Sequence, residues 1–206
     1  MRKIVVSLAF ALAALPAWAQ TQQQRDWCAS PTATDDQTIE GCTALIKSGQ
    51  ETTNNLGDDY DSRGFAYFNK KLYDQAIADE TEAIMRTPNE VQAYMNRGND
   101  YFMKGLYDQS IVDFTKAITL KPNNGHAYTD RADAYYEKGE ASLALPDAEK
   151  GVSLVPASAT GLTVRGRIYE TLGRRDEAIS DFRAVLKLDP NNTNAKQGLI
   201  RLRVTP

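Results

Sequence analysis

The chain has one histidine, His126, followed on the same stretch by Asp130 and Asp133. On a helix, residues three and four apart are neighbours, so a metal site or an acid–base group is the first chemistry to test. A zinc site needs three or four strong ligands, and no further His or Cys stands near. No Ser or Cys nucleophile is arranged with His126 as catalysis would require. Neither a catalytic residue, a metal ligand nor a cofactor is expected. Cys28 and Cys42 are the second reactive set. In an exported chain two cysteines usually pair, here closing a loop of about 15 residues, worth ~3 kcal/mol in the chain-entropy model. A redox or metal pair is the rival reading, and the absence of nearby His or Cys disfavours the metal.

The charges that recur point elsewhere. Arg63, Arg97, Arg131 and Arg165 stand at one constant interval, and Asp79, Asp113, Asp147 and Asp181 follow them at a constant offset. Pro88, Pro122, Pro156 and Pro190 keep the same period as the arginines. A fixed period of this length marks an array of stacked units. In an antiparallel helix pair each Arg lies level with its Asp. The expectation is a structural ladder of ion pairs, and the alternative is an anion-binding row of arginines. An Asp for every Arg favours the ladder. The spacing leaves open whether each Asp pairs within its own unit or with the next.

The elements that must carry these residues follow from pattern. Residues 1–19 have the form of an export signal: Arg2 and Lys3, an apolar run over residues 4–15, then Ala17-Trp18-Ala19 as a cleavage pattern. The run is shorter than the ~20 residues that span a bilayer. A retained anchor is the alternative. The mature chain is expected to begin at Gln20, to be periplasmic, and not to insert into membrane. Its formal charge is −3 before cleavage, without the basic stripe of a nucleic-acid binder. Residues 20–26 are Gln-rich and expected to be a flexible leader. Residues 27–56 form an N-terminal cap, with a helix over 35–48 whose apolar face carries Cys42, and a loop over 49–57.

Four units fill 57–90, 91–124, 125–158 and 159–192, each with two helical patterns and a turn. Gly105, Gly139 and Gly173 mark the turns, with Lys71 at that place in the first unit. Residues 193–206 make a capping helix with Ala195, Leu199 and Leu202 inward and Lys196, Arg201 and Arg203 outward. Pro146 interrupts the second helix of the third unit. Pro removes a donor and clashes with the carbonyl four residues back, so a short, shifted or bent helix is expected.

In residue pattern the units resemble the tetratricopeptide repeat, a helix–turn–helix of roughly 34 residues. The second unit matches through Tyr94, Gly98, Tyr101, Ser110, Phe114, Ala117 and Pro122. The first has Glu80 where Phe is usual, the third has Ala148 there, and the fourth has Leu162 for the first aromatic. The resemblance implies an all-α, right-handed superhelical solenoid whose first helices line a concave groove. It places Phe65, Phe68, Met95, Asn96, Asn99, Phe102 and Met103 in the early groove, with Asp61. It places Asp130, Asp133, Tyr136 and Glu137 in the third unit, with His126 and Thr129, then Thr163, Arg167 and Glu170. Family members that grip a C-terminal carboxylate use Lys and Arg at positions that here hold Asp61, Phe65, His126 and Asp130; Asn96 alone agrees, so that clamp is not expected. The implied function is a non-enzymatic scaffold or adaptor of the cell envelope. Its partner would be a protein or peptide segment with apolar anchors and basic residues. The alternative is a periplasmic holding chaperone or secretion-assembly factor of broad peptide specificity.

Overall fold

The structure, a computed structural model, describes residues 17–205. The apolar run over residues 4–15 lies outside them. Eleven α-helices and no strand occur among the described residues: α1 (Ala17–Ala29), α2 (Asp35–Ser48), α3 (Thr53–Asn69), α4 (Tyr73–Arg86), α5 (Val91–Met103), α6 (Tyr107–Leu120), α7 (Gly125–Glu137), α8 (Ala141–Leu154), α9 (Ala159–Thr171), α10 (Arg175–Leu188) and α11 (Thr193–Arg201). They fall into two units, one ending at Pro88 and one beginning at Asn89. Within each, consecutive helices pack on one another, as expected for stacked helix–turn–helix repeats.

In the first unit the N-terminal region is more helical than its sequence pattern suggests. Residues 20–26, expected as a flexible leader, lie inside α1. Gln and Arg are good helix formers, and the helix gains its stability by docking. At Gly41 on α2 an added Cβ would come within 2.6 Å of the Gln24 carbonyl oxygen and 2.9 Å of the Trp27 Cβ. Cys28 and Cys42 are bonded, with S–S 2.03 Å, so the two helices form a stapled hairpin in place of a strap laid on one helix. The expected loop over 49–57 is also shorter. Thr52 caps α3 through the Asn55 N–H, and the helix starts at Thr53.

Each repeating Arg holds the Asp of its own unit through two parallel bonds, which settles the pairing register. Arg63 Nε donates to Asp79 Oδ2 at 2.7 Å and Nη2 to Oδ1 at 2.8 Å. The corresponding distances are 2.8 and 2.8 Å for Arg97–Asp113, 2.6 and 2.8 Å for Arg131–Asp147, and 2.8 and 2.7 Å for Arg165–Asp181. The third nitrogen of some forks reaches the preceding second helix: Arg63 Nη1 donates to Thr43 Oγ1 and Arg131 Nη1 to Thr115 Oγ1. The guanidinium also lies near tyrosine rings of its own helix, 5.4 Å from the Tyr60 centroid for Arg63 and 5.9 Å from those of Tyr94 and Tyr101 for Arg97. The Asp side chains are largely shielded from water, so the anion-row alternative loses its free charges.

Apolar packing between the helices of a pair is reciprocal in size. Gly98 faces Phe114, which is fully buried, and a Cβ there would meet the ring at 2.7 Å. Gly166 faces Phe182 in the same way. In the repeat over 125–158 both partners change together, to Ala132 and Ala148, each buried. The smaller second residue leaves room for the extra methyl on the first.

Pro146 does not produce the expected disruption. Helix α8 runs unbroken over 14 residues, the same length as α6 and α10. Ser142 and Pro146 are both exposed, so the ring lies on the solvent side of the helix, where a carbonyl without its donor can turn to water. The first turn is also tightened by an added bond from the Leu143 N–H to the Glu140 carbonyl, which lets the ring be accommodated locally.

The turn within each repeat needs a left-handed residue. Gly105, Gly139 and Gly173 have φ of 73°, 88° and 74°, and Lys71 takes φ 60° at the equivalent place. An L-residue there costs about 1–2 kcal/mol. Lys71→Gly should therefore raise the unfolding free energy by about 1 kcal/mol in urea titrations; no change or a loss would contradict this account of the turn. Arg97→Ala leaves Asp113 shielded without its fork, and should destabilise by about 3 kcal/mol, read as a lower Tm.

Candidate functional site

The first helices of successive repeats present the side chains that do not repeat. In the first unit α3 carries Phe65, 53% exposed. Phe68, half-buried, stands edge-on to Tyr73 at 5.8 Å.

In the second unit α7 packs on both α5 and α9, and α9 on α11, which brings four equivalent helix faces side by side. Asn99, Asp133, Arg167 and Arg201 occupy one repeating position across them, one period apart. On α5, Asn96, Asn99 and Phe102 are half-buried and Met103 is 51% exposed. Phe102 is braced edge-on by Tyr107 at 5.5 Å. The Gln92 amide donates to Asn96 Oδ1 at 2.7 Å. On α7, Asp130, Asp133 and Tyr136 are half-buried, and His126 and Glu137 exposed.

Two residues expected in the groove are core. Met95 is 7% and Thr129 is 4% exposed. Gly151 on α8 makes room for Thr129: a Cβ there would sit 2.5 Å from its hydroxyl oxygen.

The acidic group of α7 is interlocked with Arg167 of α9, and Glu170 of α9 with Arg201 of α11. Arg167 donates through Nη1 to Asp133 Oδ1 at 3.2 Å and through Nη2 to Glu137 Oε1 at 2.5 Å. Its guanidinium lies 4.4 Å from the Tyr136 ring centroid. Arg201 forks onto Glu170 at 2.8 and 2.7 Å. Asp133 and Glu137 thus share the positive charge of Arg167, which revises the reading of this segment as wholly free negative charge. Burial pushes Asp133 up to about 6, with Arg167 opposing. Asp130 has no such counter-charge. Burial, with the neighbouring Asp133 adding to it, pushes Asp130 up to about 7.

Sequence reasoning placed Arg201 outward and passed over Asn194 and Gln197. These three, with Thr163 and Arg167, line a polar cleft. The signal was available: Gln197 and Arg201 fall one full period after Thr163 and Arg167, so α11 continues the row of α5, α7 and α9. Among the described residues no group of three His, Cys, Asp or Glu could hold a metal ion.

One further carboxyl on α5 shapes stability. Asp100 is 1% exposed, its Oδ1 has no hydrogen-bond partner, and the equivalent positions hold Ala66, Ala134 and Ile168. Burial pushes it up to about 7 from 3.8. The neutral form therefore favours folding. That contribution is complete below about 3.8 and is lost as pH rises through about 7. Asp100→Ala should be more stable than the wild type at pH 8, by on the order of 4 kcal/mol at most, read as a higher Tm, and the gap should close towards pH 4. A gap independent of pH would refute this assignment.

The comparisons agree with this architecture. Family models of the tetratricopeptide repeat match residues 91–124 and 159–192. Among solved structures, the first such domain of Spaghetti (RPAP3), bound to the HSP90 peptide SRMEEVD, is 31% identical with a TM-score of 0.54, over 55% of this chain and 90% of that one. The second domain of human RPAP3, in complex with the HSP70 peptide SGPTIEEVD, is 29% identical with a TM-score of 0.51, over 53% and 92%. The protein MamA, at 23% identity, shares the fold with a TM-score of 0.67, over 85% and 96%. No curated protein sequence matches the chain.

Proposed function

The chain belongs to the tetratricopeptide repeat family, and on that premise we propose that it is a scaffold or adaptor that binds a partner segment across the first-helix faces of its second unit. The observation that carries this is the combination on α5 and α7. Phe102 and Met103 offer apolar contact, Asn96 and Asn99 offer backbone hydrogen bonds, and Asp130 offers a carboxyl without an arginine partner, which a basic side chain would draw into its ionised form. Such a surface fits a segment with apolar anchors and one or two basic side chains. The RPAP3 domains hold peptides ending in acidic residues. Acidic side chains would meet repulsion at Asp130, so the partner here has the opposite charge preference.

The setting we propose is the periplasm, after export on residues 1–19. Arg2, Lys3, the apolar run and Ala17-Trp18-Ala19 support export, and a buried disulfide supports an oxidising compartment. Cleavage after Ala19 would leave most of α1, with Cys28, in the mature chain. A second reading, a holding chaperone of broad specificity, draws on Phe65 and Met103, which stand more than half exposed.

Fluorescence polarisation with three labelled peptides separates the readings: one apolar with two lysines, one apolar and neutral, one ending in acidic residues. The scaffold reading expects tightest binding of the basic peptide, weakened at least roughly tenfold by Asp130→Lys and further by Phe102→Ala. Equal affinity for the first two, insensitive to Asp130→Lys, supports the chaperone. Preference for the acidic peptide refutes the charge assignment.

A further inference from the structure

The Cys28–Cys42 disulfide has a neighbour that a purely structural staple does not need. Asp59, on α3, is 9% exposed, and its Oδ1 lies 3.3 Å from Cys28 Sγ. A disulfide sulfur carries no proton to donate. The contact is therefore a hydrogen bond only when Asp59 is the protonated partner, or when Cys28 is a thiol. The other oxygen, Oδ2, is buried with no partner. The charged groups acting on Asp59 are Glu51 from the loop between α2 and α3, Arg25 from α1, and Asp58 beside it on α3. Arg25 is spent on Glu51, at 2.6 Å. Burial, with Glu51 adding to it, pushes Asp59 up to about 6.

The same cysteine lies at a cleft. Ser30 and Pro31, after α1, and Ser62, Phe65 and Asn69, on α3, line a depression that reaches Cys28. Cys42 is 0% exposed, whereas Cys28 is 5% exposed. Cys28, and not Cys42, lines the cleft, and its sulfur is the one that touches the carboxyl.

We propose that Cys28–Cys42 is an exchangeable disulfide, reduced by a dithiol entering this cleft, with Asp59 as the proton donor to Cys28. A thiolate of the dithiol attacks Cys28 Sγ. The Cys28–Cys42 bond breaks, a mixed disulfide forms, and the electron pair leaves on Cys42, which takes the proton of the dithiol's second thiol. The second thiolate of the dithiol then attacks its own sulfur in the mixed disulfide, and Cys28 departs with the electron pair and takes the Asp59 proton. The dithiol is oxidised by two electrons and gives up two protons, while the two cysteines are reduced and gain two. Asp59 regains its proton from solvent. In the ionised form Asp59 would place a negative charge beside the departing Cys28 thiolate, opposing the step.

The test is the rate of reduction of the folded full chain by dithiothreitol from pH 5 to pH 8, quenched by alkylation and read by intact mass. Each rate is divided by the reductant's thiolate concentration. The normalised rate should fall at least roughly tenfold as pH rises through about 6, and in Asp59→Asn it should be low and flat. Ser62→Trp, which fills the cleft, should slow the reaction without moving the pH profile. A flat wild-type profile overturns the proposal without reference to any variant. So does a fall that persists in Asp59→Asn, a rate untouched by Ser62→Trp, or a rate equal to that of global unfolding. None of these outcomes bears on peptide binding by the second unit.

Discussion

The bidentate Arg–Asp fork is the interaction on which the repeat depends. A helix pair of this length buries too little to be stable alone, so its two helices need a fixed relation before neighbours can stack. Four forks at the same interval provide it, each with two bonds of 2.6–2.8 Å. Removing Arg and Asp together for apolar groups could be near neutral in energy. What the fork adds is register: a planar guanidinium accepts one orientation of the opposing carboxylate. Where the third nitrogen reaches Thr43 or Thr115, the same side chain also sets one helix pair against the one before it.

With register fixed by polar bonds, the apolar layer is free to vary in size so long as volume is exchanged between partners. Gly98 with Phe114 and Ala132 with Ala148 fill the same kind of space in two ways. Buried carboxyls at Asp100 and Asp59 are departures from this economy. Asp100 stands where other repeats place alanine or isoleucine, and its site is organised by packing alone. Asp59 stands against a disulfide, where a carboxyl has chemistry to perform.

Much of the frame was legible because periodicity is a local signal. The constant period placed the turns, the second helices and the ladder, and the apolar face of residues 35–48 matched α2. The helical state of residues 20–26 was not legible, since it comes from docking on Gly41 and the staple, both remote in sequence. Pro146 misled because its cost depends on which way the lost carbonyl faces, and Ser142 faces water. Met95 and Thr129 were misplaced because the helix face towards the groove and the face towards the next helix share an edge. On that edge, burial is decided by Gly151 and similar neighbours on other helices.

The charges of the first-helix faces were read one residue at a time, which is why their sum was misjudged. Asp133 and Glu137 look acidic in sequence, but the period that sets Arg167 after Asp133 also brings the two helices together. At the repeating position that holds Asn99, Asp133, Arg167 and Arg201, stacking sets Asp133 beside Arg167, while Arg201 turns to Glu170. Asp130 lacks such a partner, and burial pushes it up to about 7, so its charge is completed only when a basic group arrives. The same stacking that makes the array stable thus selects which of its charges remain available to a partner.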